Sequence, residues 1–297
     1  MKMLEKTMEI YIKNKPYTGK VKAVVMDWAG TAVDYGSIGP VAVFIEVFRL
    51  FGVSVSVTET RQFMGLMKKD HIRGMCGLPS VQNSWLREHG RLPDEKDIDA
   101  MYRETERLMI AAIVKHASPI PGLLETVDQL RRDEIKIGTS TGYTSPMMKI
   151  LVPLAAQKGY QPDNVVCASD VPAGRPYPWM CFKNAIDLQV YPMEAMVKIG
   201  DTISDIEEGL NAGMWTVGVA QTGNELGLSQ HEVESLPGEE LKTKLSQIEQ
   251  KFKESGANFV IHGIWDLFSV MESINERLSQ GLVPADNQKG IYEKSSS

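Results

Sequence analysis

Four short motifs carry the groups that phosphoryl transfer needs. In chain order they are Asp27-Trp28-Ala29-Gly30-Thr31, Ser140-Thr141-Gly142-Tyr143, Gly174-Arg175-Pro176-Tyr177-Pro178 and Gly200-Asp201-Thr202-Ile203-Ser204-Asp205. Together they offer a carboxylate nucleophile, a hydroxyl beside loop N–H donors, a guanidinium, and paired acids able to hold a hard cation. A carboxylate attacking an anionic phosphorus group is opposed by repulsion, which a metal and an arginine offset. Asp201 and Asp205 stand four residues apart, so they are expected to share one face of the helix that begins there, and only one of them need touch metal. Each residue alone has a plainer reading: Asp27 could cap a turn, Asp201 could complement a helix dipole, and Arg175 could form a surface ion pair. Their ordered occurrence favours chemistry.

A further group lies in Met64-Gly65-Leu66-Met67-Lys68-Lys69-Asp70-His71. On a helix, Met64, Lys68 and His71 would project from one face. An amine in an apolar, partly desolvated setting has its charged form disfavoured, leaving more of it able to condense with an aldehyde. The plainer reading is a solvated face, because Lys69 sits beside Lys68.

These residues need a scaffold that brings them together. Lys22-Ala23-Val24-Val25-Met26-Asp27-Trp28 reads as a strand buried on both faces, with Asp27 at its end. Similar runs recur at 135–139, 164–168, 195–201, 216–220 and 258–262, mostly separated by helical patterns. The expected fold class is α/β, a Rossmann-like doubly wound parallel sheet, which binds ligands beyond the carboxyl ends of its strands. Asp27, Ser140, Thr141, Asp170 and Asp201 occupy those ends. Residues 37–116 show helical repeats and no convincing strand, with Pro79 and Pro93 read as loop punctuation, so an inserted helical cap is expected there. The core would then comprise 21–36 and 117–278, after an extension at 1–20 and before a weakly docked or disordered tail at 279–297. Hinges are expected near 35–40 and 116–121.

Composition narrows the function. With 32 Lys+Arg against 38 Asp+Glu in 297 residues, the net charge of −6 disfavours binding nucleic-acid phosphates. Cys76, Cys167 and Cys181 form no C-x-x-C pair and read as small buried hydrophobes in a reduced cytoplasm. No signal peptide, membrane span, G-x-G-x-x-G or Walker loop is evident. His89, His116, His231 and His262 read as structural or exposed.

Taken together, the four motifs resemble the haloacid dehalogenase superfamily, over roughly 22–278. Phosphatases of that superfamily place a second Asp two residues after the nucleophile, where this chain has Ala29. Asp-Trp-Ala-Gly-Thr with Met-Gly-Leu-x-Lys-x-x-His is similar to the phosphonoacetaldehyde hydrolase branch, which cleaves a carbon–phosphorus bond. The resemblance implies Asp27 as nucleophile and Lys68 as Schiff-base lysine, with His71 as proton shuttle. It implies Mg²⁺ held by Asp27, the Ala29 carbonyl and Asp201, supported by Asp205. Thr141, Gly142 and Arg175 would bind phosphoryl oxygens, while Met64 flanks the amine and Tyr143 closes the pocket. A small-molecule phosphonate is the expected partner, without nucleic acid or membrane, and a homodimer is plausible for this family. The rival readings are a phosphatase or phosphomutase for small phosphate esters, using Asp27 but not Lys68, and a catalytically dead sensor of a phosphorylated metabolite.

Overall fold

The computed structural model describes residues 15–284. Most of the expected extension (1–14) and of the expected tail (285–297) lies outside the described residues. The chain runs β1 (Ala23–Met26), α1 (Ile38–Leu50), α2 (Val57–Arg61), α3 (Lys68–Cys76), α4 (Pro79–His89), α5 (Glu95–His116), α6 (Leu123–Arg132) and β2 (Lys136–Thr141). It continues through α7 (Ser145–Gln157), β3 (Asn164–Cys167), α8 (Trp179–Asp187), β4 (Met196–Gly200), α9 (Ile203–Ala212) and β5 (Trp215–Val219). It ends with α10 (Gln230–Ser235), α11 (Gly238–Glu254), β6 (Phe259–Ile261) and α12 (Leu267–Ser279).

All the strand pairings are parallel, in the order β3-β2-β1-β4-β5-β6. Burial explains the composition of the central strand: Ala23, Val24, Val25 and Met26 are all excluded from water, as expected where helices cover both faces. The strand order reverses between β2-β1 and β4, and a crevice opens at such a switch point. Asp27 follows β1 and Asp201 follows β4, and the Asp27 N–H donates to the Ile199 carbonyl at 2.9 Å. The topology therefore sets the two acids side by side although 170-odd residues separate them.

Helices α1 to α5 fall between β1 and β2 and bury Phe44, Val47 and Phe48 of α1 against α5, whose Met101, Met109 and Ile113 are also buried. Local chemistry sets their ends. Ser56 with Glu59 and Asp94 with Asp97 form reciprocal capping boxes that start α2 and α5. Pro79 is not loop punctuation, as the sequence suggested: it opens α4, where its missing N–H costs no hydrogen bond. Helix α5 also packs on α7 of the sheet layer, so the inserted helices rest on the core. No helix among the described residues is long and apolar enough to cross a membrane.

Candidate active site

Beyond the strand ends lies a pocket lined by residues from both layers. The core supplies Asp27, Ala29, Thr141, Gly142, Tyr143, Arg175 and Asp201; the inserted segment supplies Met64 and Lys68. Thus nine of the residues singled out from the sequence meet at one cavity, while His71 and Asp205 stand behind its wall. Asp170 stays outside, its carboxylate accepting from the Cys167 N–H at 2.8 Å to close a local turn.

The anionic half is crowded. Asp27, Asp201 and Asp205 bring carboxylate oxygens within 4.8 Å of one another, an oxygen-only donor set suited to a hard divalent cation. Burial raises the Asp27 carboxyl, with Arg175 opposing and Asp205 reinforcing the rise. Burial, then Asp27 and Asp205, hold Asp201 well above the ordinary carboxylate range. Asp205 differs: Arg175 and Lys198 outweigh its burial and keep it low. Its oxygens are already engaged by Lys198 Nζ at 2.5 Å, Arg175 Nη2 at 3.0 Å and the Thr202 hydroxyl at 2.5 Å. Asp27 and Asp201 therefore face the cavity as the candidate ligands, and Asp205 braces the cluster from behind.

The geometry corrects the expected helix face. Asp201 precedes α9, Thr202 is its N-cap, and Asp205 completes the capping box from the third helical position. Asp201 is held instead by the Thr31 hydroxyl at 3.3 Å and the Asn224 N–H at 2.7 Å. Gly30, at φ +85°, lies so close that a Cβ would strike the Asp201 carboxylate.

Arg175 joins the parts. Its Nη2 donates to Asp27 Oδ1 at 2.7 Å and to the Ser140 carbonyl at 2.8 Å, and Nε donates to Glu208 at 2.9 Å. Planar guanidinium donors fixed on three sides cannot swing away from the pocket. Glu208 and Lys198 escaped the sequence reading, although a lysine within a strand buried on both faces is itself a signal of a buried acid nearby.

The opposite wall is apolar. Lys68 is buried, its Nζ 4.6 Å from the Tyr143 ring centroid and 5.7 Å from that of Phe44. Burial lowers its pKa to about 8, which the negative charge of Asp27 only partly counteracts. Lys69 points elsewhere and pairs with Asp99 on the surface, which decides between the two neighbours. Lys68 is the first residue of α3, so Met64 lies outside that helix: Gly65, at φ +89°, breaks the path. Met64 reaches the pocket through the turn rather than along a helix face. Gly65 packs so tightly on Thr202 and Ser204 that a side chain there would collide with both hydroxyls. His71 stacks on Phe44 with ring centroids 3.7 Å apart, and burial followed by the Lys68 ammonium pushes it well below the ordinary imidazole range. It is a neutral ring behind the amine.

Residues 21–213 match the haloacid dehalogenase-like hydrolase family. A phosphonoacetaldehyde hydrolase of Syntrophobacter fumaroxidans is 56% identical over 277 residues, 93% of this chain and all of that protein. A phosphonoacetaldehyde hydrolase of Bacillus cereus is 51% identical over 258 residues, 87% of this chain and 98% of its own. Among solved structures, a phosphonoacetaldehyde hydrolase-like protein from Oleispira antarctica superposes with a TM-score of 0.90 at 38% identity, covering 93% of this chain and all of that one.

Proposed function

The chain belongs to the phosphonoacetaldehyde hydrolase family of haloacid dehalogenase-like hydrolases, and from that premise we propose that it hydrolyses phosphonoacetaldehyde to acetaldehyde and phosphate through Lys68 and Asp27. The observation that carries this reading is a buried amine with a pKa of about 8 sharing one cavity with a strand-end aspartate. A phosphatase would have no use for that amine.

In this reading the neutral Lys68 amine adds to the aldehyde carbon and water leaves, giving an imine. An Asp27 oxygen then attacks phosphorus, and the carbon–phosphorus electron pair moves toward the imine nitrogen, so carbon departs as an enamine rather than a bare carbanion. That electron sink removes the need for the second aspartate that Ala29 replaces. Water hydrolyses the aspartyl phosphate, the enamine carbon takes a proton, and a second water frees Lys68. Arg175, with Thr141 and the Gly142 N–H, would hold the phosphoryl oxygens, and the Asp27–Arg175 contact places the nucleophile against that cradle.

Asp27, Asp201 and the Ala29 carbonyl would hold Mg²⁺, with Asp205 bracing them. Bound there, the ion would supply positive charge between the carboxylate and the phosphoryl group. His71 would serve as proton shuttle in its neutral form, acting from behind Lys68 rather than from the cavity wall. Met64 and Tyr143 would shape the aldehyde end, and the cap would close to exclude water and open for release. A cytoplasmic homodimer belongs to the same reading: the free buried cysteines suit the first, and the exposed Ile110 and Val114 of α5 suit the second.

The test is release of acetaldehyde and inorganic phosphate from phosphonoacetaldehyde with Mg²⁺. Equal release by the wild type, lost in Lys68→Arg, is the expected result. Phosphate release from ordinary esters, with none from the phosphonate, would replace this function by the phosphatase reading.

A further inference from the structure

The segment that delivers Lys68 is fastened at a point the mechanism above leaves unused. Arg61, the last residue of α2, is half-buried between the inserted helices and the core. Its Nη1 donates to the Gly36 carbonyl at 3.1 Å, to Asn224 Oδ1 at 2.9 Å and to the Asn224 carbonyl at 3.3 Å, while Nη2 donates to the Gly227 carbonyl at 3.0 Å. Among the described residues no carboxylate lies within ion-pairing distance of it; Asp201, Asp34 and Glu225 act on its charge from further away. One guanidinium thus ties together the linker that enters the inserted helices, their second helix, and the loop after β5.

That loop is also the one that orients Asp201. The Asn224 side chain donates back to the Arg61 carbonyl at 3.4 Å, and its own N–H holds Asp201 Oδ2 at 2.7 Å. Asn224 is buried, and Gly227, at φ +66°, is pressed so close to Arg61 that a Cβ would meet the guanidinium at 2.6 Å. On the other side, Arg61 is three residues before Met64 and seven before Lys68, and the Met64 carbonyl accepts from the Ser204 hydroxyl at 3.4 Å. The turn is therefore clamped at Arg61 and again at its middle, where Gly65 abuts Thr202 and Ser204.

We propose that Arg61 is a positioning residue that locks the Lys68-bearing segment onto the loop holding Asp201, so that the carbon-activating and phosphorus-side halves of the site are assembled together. The inference rests on the assignment of Lys68 and Asp201 above. Only a planar fork with several donors can serve these oxygens at once, so lysine cannot replace it. One apolar core runs unbroken from the sheet into the inserted helices, through residues such as Val25, Phe44 and Met101, so the fold does not depend on this polar contact. The assembled geometry does.

The experiment compares wild type, Arg61→Ala, Arg61→Lys and Asn224→Ala by amide hydrogen exchange, Mg²⁺ binding calorimetry and steady-state kinetics. In both Arg61 variants exchange should quicken jointly in 61–68 and 222–227 while the sheet stays protected. Mg²⁺ affinity should fall by roughly 3–10-fold and kcat/KM by about 100-fold, scales typical of a lost supporting shell and a misplaced reacting group. Asn224→Ala keeps the N–H on Asp201 and should give a smaller loss of the same pattern; it carries the test alone if the Arg61 variants do not fold. Exchange and Mg²⁺ binding within about twofold of wild type in a folded Arg61 variant, or in Asn224→Ala when it stands alone, would overturn the proposal. Because exchange and metal binding do not require turnover, a wild type inactive on phosphonoacetaldehyde would count against the proposed function without deciding the lock.

Discussion

Two lysines are buried among the described residues, Lys68 and Lys198, and their surroundings drive them to opposite states. Lys198, in the middle of β4, meets Asp205 at 2.5 Å and Glu208 at 3.5 Å; burial opposes its charge, but the carboxylates win and its pKa is raised. Lys68, on the inserted segment, has aromatic faces for neighbours and no carboxylate in ion-pairing contact among the described residues; its pKa falls to about 8. Desolvation acts on both. What separates them is the partner: the core fixes a cation paired with Asp205 and Glu208, while the inserted segment keeps an amine that burial tilts toward its neutral form. Burial alone is therefore no guide to which lysine is chemical.

That contrast can be broken from either side. Lys68→Arg keeps a cation but removes the nucleophilic amine, so turnover of phosphonoacetaldehyde should fall by on the order of 10⁴-fold or more, with thermal unfolding unchanged. Retained turnover would erase the distinction between the two lysines. Lys198→Met should instead act on the fold, costing about 3–5 kcal/mol in urea unfolding, because it strands Asp205 and Glu208 beside too little positive charge. A Lys198→Met protein of wild-type stability would mean that Arg175 alone neutralises the acids.

The protonation states sharpen the comparison further. The proposed route uses the neutral Lys68 amine, so on that route kcat/KM should climb as pH rises toward about 8 and drop about tenfold for each unit below it. A profile flat between pH 6 and 8 would contradict an amine tuned by burial. The smallest effect is expected of Phe44→Leu. Its ring favours the ammonium form, so losing it should shift the acidic limb to lower pH by about half a unit, and an upward shift would be the wrong sign.

Much of this site was legible in the sequence because strand-end chemistry is local. Asp27 follows an unbroken apolar strand, and Ser140-Thr141 and Gly200-Asp201 stand at the ends of β2 and β4, so the doubly wound sheet convenes them once its order is known. Where the reading went wrong, a backbone detail intervened: Gly65 stops what looked like one helical face from Met64 to His71, and the capping box at Thr202 leaves Asp201 outside α9. Lys198 left a trace, a charge inside a buried strand, that went unused. Arg61 and Asn224 left none, since they meet across 163 positions through carbonyls and an amide that no spacing encodes.

The central claim is that Lys68, and not Lys198, forms a covalent bond to the aldehyde. Borohydride reduction during turnover of phosphonoacetaldehyde, followed by mass analysis of the peptides, tests it most directly. The account predicts a reduced adduct on the peptide containing Lys68 and none on that containing Lys198. Turnover with no adduct at Lys68, or an adduct on another lysine, would contradict it.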